Sequence, residues 1–360
     1  MNSQTLNTSP NKTNVFQGIE NIQKDRFFEN KFDEEKNTIV RLVSKSKKNK
    51  NKDYKITNIE DVSSKNNWKA WLYLAPVLVL LVIFLIYPLI DTIVISFMKN
   101  YNQVLGTFDG FTLDNFAIIF GAKATDSGGL ETNFVRYAIP NTFIIVFITV
   151  PLTTIIALLI SIGLNSIKWF QKFLQTVFFL PYVTNTIAVG MVFSVIFDDT
   201  GLINYIFHLD KLWIYGADRA TAMIPLCLYI VWSGLPFKIL IFLSGLQGID
   251  KQYYDAAKID STPKRKVLWH ITIPLLSPQI LYIVVTSFIG AFKEYSSIVG
   301  LFNNPGTTTG SYNMYTIVYY IYQNLATNTS FAAAAAVFLF AIILVFTMLQ
   351  LYVSKKRVHY

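Results

Sequence analysis

The chain has few charged residues and almost no cysteine or histidine. Lys, Arg, Asp and Glu make up 15% of the 360 residues, whereas hydrophobic residues make up 52%. A soluble globular protein carries about 25% charged residues, so this composition argues against a soluble enzyme and against a disordered chain. The single cysteine, Cys227, excludes an internal disulfide, and the three histidines lie far apart. No metal site is therefore predicted.

The sequence also lacks the short motifs of common enzymes. It contains no G-x-x-x-x-G-K-[ST] phosphate loop, no H-E-x-x-H and no G-x-S-x-G. We therefore expect no catalytic residue and no cofactor bound by this chain. Energy for any active process must come from elsewhere.

Long apolar runs are abundant after Trp68. About 20 apolar residues at 1.5 Å each cross a hydrocarbon core of about 30 Å, and continuous runs favour helices over a β-barrel. The sequence predicts an all-α integral membrane protein with a mobile N-terminal tail at 1–67, a transmembrane domain at 68–355 and a short tail at 356–360. Six transmembrane helices are predicted, at about 72–98, 139–163, 173–197, 221–245, 275–301 and 331–353.

Basic residues are distributed unevenly between the two sets of connecting loops. The set formed by 164–172, 246–274 and 354–360 holds ten Lys and Arg in 45 positions, and the opposite set holds five in 92. Because basic loops stay in the cytoplasm, we expect both termini inside and a multi-pass protein of the cytoplasmic membrane. Topology and anionic lipid account for the net charge of +9, so no nucleic-acid partner is predicted.

The longest cytoplasmic loop, 246–274, predicts two short helices. Asp250 suits the N-cap of the first, and Thr262 with Pro263 suits the N-cap and first position of the second. Helical spacing aligns four residues of the first helix in one row: Tyr253, Ala256, Ala257 and Asp260. This small apolar row predicts either docking of a partner or packing against the chain's own bundle.

Three stretches resemble the permeases of binding-protein-dependent ABC importers. The first is DAAKIDSTPKRKVLWHITIP, from Asp255 to Pro274, which is similar to the EAA loop of that family. The others, FLPY at 179–182 and WSGLPF at 232–237, are similar to its carbohydrate branch. The resemblance implies the type I ABC importer permease fold and transport of a sugar or related carbohydrate.

The resemblance also implies partners: a second homologous permease, two ATP-binding subunits carrying ATP and Mg, and an extracytoplasmic solute-binding protein. The loop would dock on an ATPase subunit through Tyr254, Asp255, Ala256, Ala257, Asp260, Ser261, Ile273 and Pro274. Ser261 stands where the family usually has Gly. A left-handed serine would cost about 1 kcal/mol, so we expect another turn geometry there.

A sugar path requires polar groups together with aromatic platforms, and helix breaks are natural places for it. Such breaks are expected at Pro181 in the third helix and at Pro236 in the fourth, because proline frees a backbone carbonyl. The resemblance implies that such residues border the substrate path, although packing is the alternative for each of them. The candidates are Tyr182, Asn185, Trp232, Gly234, Phe237, Phe292, Lys293, Glu294 and Tyr295.

An ion-coupled secondary transporter is the alternative function, because it would need no ATPase partner. It would use ionisable residues inside the membrane as relays, namely Asp91, Lys238, Lys293 and Glu294. Asp91 and Lys238 each lie about seven residues from a helix end, where snorkelling to water is the simpler explanation.

Overall fold

The computed structural model describes most of the chain after residue 66. The described ranges are residues 67–126, 128–167, 171–302, 305–306 and 313–354. The predicted tails at 1–67 and 356–360 lie outside the described residues, apart from Asn67. Within these ranges the chain forms helices and loops and contains no β-strand, which confirms the all-α class.

Fifteen α-helices are found among the described residues. They are α1 (Asn67–Leu81), α2 (Tyr87–Ser96), α3 (Asp114–Ile119), α4 (Ile139–Ser166), α5 (Gln171–Val183), α6 (Thr186–Ile196), α7 (Leu202–Phe207), α8 (Arg219–Gly248), α9 (Lys251–Ile259), α10 (Lys264–Val267), α11 (Ile273–Leu275), α12 (Ser277–Phe292), α13 (Ser296–Phe302), α14 (Ile317–Asn324) and α15 (Thr329–Ser354). Three π-helical turns lead into α2, α4 and α11: Val82–Ile86, Phe134–Ala138 and Leu268–Thr272.

Four helical stretches of the described chain are long and apolar enough to cross a membrane. They are Trp71–Ser96, Phe134–Ser166, Arg219–Gly248 and Thr329–Ser354. A fifth span results if Lys264–Leu275 and Ser277–Phe292, which meet at a bend of 66°, are taken together. Pro278, in the first turn of α12, cannot donate a backbone hydrogen bond across this bend. The count of six spans stays a prediction.

The third predicted span, 173–197, is interrupted between α5 and α6. Asn185 lies in the gap with an extended backbone, and its side chain accepts hydrogen bonds from the amides of Ile187 and Ala188, at 2.9 and 3.3 Å. This is an N-cap, which begins a new helix. The expected break at Pro181 was wrong in position, because α5 continues to Val183 and the asparagine begins the new helix. The expected break at Pro236 was also wrong, because α8 continues through that residue.

The fifth predicted span, 275–301, is interrupted in the same manner. Helix α12 ends at Phe292, and α13 begins at Ser296. In the gap, the Glu294 carboxylate accepts a hydrogen bond of 3.0 Å from the Ser297 amide. Continuity was the wrong expectation here, because apolar composition says nothing about a local side chain that satisfies a new helix end.

The two longest helices, α4 and α8, pack along much of their length. Ser161 of α4 is fully buried, and its Oγ lies 3.0 Å from the Ile239 carbonyl oxygen of α8. Ala157, one turn earlier, also has no exposed surface. Small residues at such a contact let two helix backbones approach closely, which is how helices associate where lipid removes the hydrophobic driving force.

The short helices α6 and α13 cross at two glycines. A Cβ atom added to Gly190 would lie 2.7 Å from the carbonyl carbon of Gly300, and one added to Gly300 would lie 2.9 Å from the Ile187 carbonyl oxygen. Both neighbours are backbone atoms. The crossing therefore requires glycine on both helices, and it brings the two interrupted spans together next to their breaks.

Candidate substrate cavity and coupling loop

A cavity of about 350 Å³ lies where the two helix breaks meet α8. Five of the nine predicted path residues line it: Tyr182, Trp232, Lys293, Glu294 and Tyr295. Its other lining residues are Thr186, Val189, Tyr229, Ser233, Ser296 and Ser297. The structure thus brings together residues that lie more than 100 positions apart in sequence.

A second cavity, of about 270 Å³, shares Ser233 and Glu294 with the first. Two further predicted residues, Gly234 and Phe237, line it. Most of the remaining lining comes from α4, α8 and α12: Thr149, Val150, Thr153, Ile230, Lys238, Ile283, Thr286, Ser287, Gly290 and Ala291. Hydroxyl groups are therefore frequent on its wall.

Aromatic rings stack beside both cavities. Tyr182 and Phe237 are parallel to within 15°, with ring centroids 5.6 Å apart, and each lines one cavity. Tyr295 stacks in the same manner on Tyr322, at 4.3 Å. Stacking fixes the orientation of these aromatic rings. A site that combines such rings with hydroxyl and charged groups suits a ligand that has both CH faces and hydroxyl groups.

Lys293 and Glu294 line the first cavity without forming an ion pair. The ion pairs found among the described residues join Lys99 with Asp126, Lys123 with Asp114 and Lys258 with Asp255, all in loops or short helices outside the long apolar stretches. Neighbouring residues of a chain turn their side chains in different directions, so Lys293 and Glu294 need not pair with each other.

Two predicted path residues have structural roles and do not line either cavity. Asn185 caps α6 through the hydrogen bonds described above. Phe292 is 1% exposed and packs on Phe143 and Phe346, with ring centroids 5.6 and 5.3 Å away. Both residues therefore have the structural role that is the alternative for every candidate of the substrate path.

Several lining residues were missed by the sequence reasoning. The buried Tyr229 of α8 donates its hydroxyl hydrogen to the Thr186 carbonyl oxygen, across the start of α6. Lys238, for which snorkelling to water is the simpler expectation, instead reaches back along its own helix, and its Nζ donates to the Gly234 carbonyl oxygen at 3.3 Å. The glycine four residues earlier was the only signal in the sequence that could have suggested this.

The predicted helix of the long loop is α9, and it begins as expected. The Asp250 side chain accepts a hydrogen bond of 2.9 Å from the Gln252 amide. The apolar row is divided: Ala257 is buried at 6% exposure, whereas Tyr253, Ala256 and Asp260 are exposed. Only part of the predicted row is therefore free for a partner.

Tyr254 connects α9 to the next helical segment. Its hydroxyl lies 3.3 Å from the Thr272 hydroxyl, in the π-helical turn before α11. Ile273 and Pro274, the last two predicted loop residues, follow directly and line an apolar groove between α12 and α15. Ile273 is partly buried there, and Pro274 is exposed.

The turn after α9 has a left-handed serine. Ser261 has φ of +52°. Its amide donates to the Lys258 carbonyl oxygen at 3.0 Å, and the Thr262 amide donates to the Ala257 carbonyl oxygen at 2.9 Å. This pair of bonds is the Schellman motif. The expectation of another geometry was wrong, because the two backbone bonds hold the serine in the conformation that glycine usually adopts. The following helix, α10, has Pro263 at its N-cap, one residue later than predicted.

Asp255 forms an ion pair with Lys258 on the surface of α9, with 2.7 Å between Oδ1 and Nζ. The hydrogen bond from Lys258 lowers the pKa of the Asp255 carboxyl below its ordinary value. Among the described residues no three His, Cys, Asp or Glu side chains are close enough to hold a metal ion.

Comparison with known proteins identifies the kind of chain that carries these features. The family model described as "Binding-protein-dependent transport system inner membrane component" matches residues 149–359. This range contains α8, which lines both cavities, and the loop at 246–274. The arabinooligosaccharides transport system permease protein AraP of Bacillus subtilis (strain 168) is 31% identical, over 79% of this chain and 88% of the relative. The lactose transport system permease protein LacF of Rhizobium radiobacter is 27% identical, over 80% of this chain and 94% of the relative.

A solved structure has the same fold. It is the crystal structure of a bacterial alginate ABC transporter in complex with an alginate pentasaccharide-bound periplasmic protein. One chain of it superposes with a TM-score of 0.64 at 20% identity, covering 81% of this chain and 96% of that chain.

Proposed function

This chain belongs to the family of binding-protein-dependent transport system inner membrane components, and we propose that it forms half of the pathway through which an ATP-driven importer moves a carbohydrate into the cell. It is a multi-pass membrane transport subunit. The proposed partners are a second homologous permease, two ATP-binding subunits that carry ATP and Mg, and an extracytoplasmic solute-binding protein. We propose that both termini lie in the cytoplasm, as the uneven distribution of basic residues favours.

The observation that carries the proposal is the exposed apolar side of α9. Ile259 is 84% exposed and Tyr253 is 53% exposed, at the surface of an otherwise polar loop. Ala257 and Tyr254, on the other side, contact the chain itself. A short helix held firmly on one side, with apolar side chains exposed on the other, fits the groove of a partner protein.

The cavity supports a carbohydrate as the substrate. The names of the relatives refer to lactose and to arabinooligosaccharides, and sugars present hydroxyl groups together with CH faces. The stacked rings of Tyr182 and Phe237 provide a flat apolar surface, and Ser233 with Glu294 provides polar contacts between the two cavities. ATP-driven closure of the ATPase subunits would then alternate access to this site through the tilting of helices.

The geometry disfavours an ion-coupled transporter. A proton or ion relay requires ionisable groups that follow one another across the membrane. Asp91 is exposed on α2. It lines neither the first cavity, which Lys293 and Glu294 line, nor the second cavity, which Lys238 lines. The family of this chain also favours an ATP-driven importer.

Two neighbouring alanines of α9 provide the test. Ala256→Arg places a large charged side chain on the exposed side, so we expect loss of ATP-driven sugar uptake with an unchanged amount of protein in the membrane and unchanged thermal stability. Ala257→Arg places the same side chain in a buried position, so we expect lower thermal stability as well. Ala256→Ser is the size control and should retain uptake.

Uptake is measured in vesicles that contain the complete transporter, and the amount of each variant is measured by immunoblot. If Ala256→Arg transports as well as the wild-type chain, α9 does not dock on the ATPase, and the proposal loses its main support.

A further inference from the structure

The ammonium group of Lys238 lies against the backbone of Gly234. The residue lies in α8, within a long apolar helix, and is only partly exposed. Its Nζ donates to the Gly234 carbonyl oxygen, and a Cβ atom at position 234 would lie 3.0 Å from that Nζ. The backbone carbonyl of residue 234 supplies the acceptor, and the missing side chain of glycine leaves space beside the ammonium group. The ammonium group is held at the second cavity, which both residues line.

This ammonium group has no carboxylate partner among the described residues. Glu294 lines the same cavity, but no pair of its oxygens with Lys238 Nζ falls within 4.0 Å, and one of its oxygens accepts from the Ser297 amide. Of the three hydrogens on Nζ, the recorded bond to Gly234 uses one. A positive charge inside the membrane is costly unless it is paired, so a chain that keeps one at a cavity gains from a ligand that supplies the counter-charge.

The hydroxyl groups of the wall act mainly as acceptors. Thr153 donates to the Thr149 carbonyl oxygen, Thr286 to that of Tyr282 and Ser233 to that of Ile230. Their hydrogens are therefore used within their own helices, whereas their oxygen lone pairs remain available. Acceptors on the wall suit hydroxyl groups on a ligand, and the ammonium group suits an anionic oxygen.

We propose that the solute is a sugar bearing a carboxylate or a phosphate, and that Lys238, held by its bond to the Gly234 carbonyl oxygen, binds this anionic group in the second cavity. The inference rests on the proposed function and adds the charge class of its substrate. Lys238 is then a specificity-determining residue, because a charge-assisted hydrogen bond discriminates strongly against a ligand that lacks the charge.

The test uses vesicles with the complete transporter and a panel of labelled mono- and disaccharides. Each sugar is supplied in matched neutral, carboxylate and phosphate forms, such as glucose, glucuronate and glucose 6-phosphate. We expect the wild-type transporter to import a carboxylate or phosphate form with a higher kcat/KM than the neutral form, and the panel shows which anion is accepted. Affinity of the solute-binding protein for each sugar is measured separately, so that selection at that step is known.

Three variants at positions 238 and 234 complete the test. Lys238→Gln should lower the ratio of acidic to neutral kcat/KM at least tenfold, and Lys238→Arg should retain most of it. Gly234→Ala requires only a small shift of the flexible end of Lys238, so it should lower the ratio less than Lys238→Gln does. The control is Lys211→Gln, in an exposed loop beside Trp213, which should leave the ratio unchanged.

Two results would be decisive against this inference. If neutral sugars are imported in preference to acidic ones, or if Lys238→Gln leaves the ratio unchanged, the anion site is refuted while the proposed function stands. If ATP drives no member of the panel into the vesicles, the proposed carbohydrate function fails and the anion site fails with it.

Discussion

The crossing of α6 and α13 yields the sharpest structural prediction. Replacement of Gly190 by Ala adds a Cβ atom 2.7 Å from the Gly300 carbonyl carbon and 2.8 Å from its Cα. Carbon atoms in contact are about 3.5–4.0 Å apart, so the two helices must separate by about 1 Å. Neither neighbour can rotate away, because both are backbone atoms.

The magnitude follows from two opposing effects. An alanine inside a helix is favoured over glycine by about 1 kcal/mol. Overpacking of a close contact costs about 1–3 kcal/mol. Gly163, in α4, is the matched control, because nothing lies within 4 Å of a Cβ atom built there. We therefore expect Gly190→Ala to be less stable than Gly163→Ala by about 1–3 kcal/mol, which is the overpacking effect alone.

The assay is thermal unfolding of the purified chain in detergent, followed by sugar uptake with the complete transporter. Helices α6 and α13 carry Thr186 and Ser297 into the first cavity, so their separation should also reduce uptake. Gly163→Ala should unfold at the wild-type temperature or above and should transport normally. If the two variants have equal unfolding temperatures and equal uptake, the close crossing of the two helices is refuted.

Three further predictions concern the loops. Ser261→Gly should raise stability by up to about 1 kcal/mol, because glycine removes the cost of the left-handed backbone, and a lower unfolding temperature would contradict the turn geometry. Asn204→Ala should cost about 1–3 kcal/mol, since Asn204 donates to the carbonyl oxygens of residues 199 and 211 and accepts from Trp213 Nε1; wild-type hydrogen exchange across 199–213 would count against this. The pKa of Asp255 is lowered by Lys258, so the stabilisation from this pair is fully present above the ordinary value of 3.8 and is lost as the pH falls through the lowered pKa. NMR titration should find the Asp255 pKa raised towards 3.8 in Lys258→Gln, and an unmoved pKa would show that the pair does not form in solution.

Much of the fold follows from the sequence because apolar length and helix caps are local properties. The long apolar runs predict the long helices, and Asp250 predicts the start of α9. The break in the third run was expected at Pro181 and lies instead at Asn185, a favourable N-cap residue, whereas the break in the fifth run was missed because an apolar run of bilayer length is read first as one helix.

The site was harder to predict because it depends on tertiary contacts. Position in the sequence could not show that Glu294 lines two cavities while Phe292, two residues earlier, is buried among aromatic rings. The close approach of Lys238 Nζ to Gly234 likewise appears only once the lysine side chain is placed. The left-handed Ser261 shows the opposite case, where backbone hydrogen bonds override the preference of the residue type.

The central claim is that this chain moves solute only with energy supplied by a separate ATPase. The most direct measurement compares labelled-sugar accumulation in vesicles that contain the complete transporter with accumulation in vesicles that contain this chain alone. The account predicts uphill accumulation in the first, only when ATP is present, and none in the second. Uphill accumulation by the chain alone, without nucleotide, would contradict it.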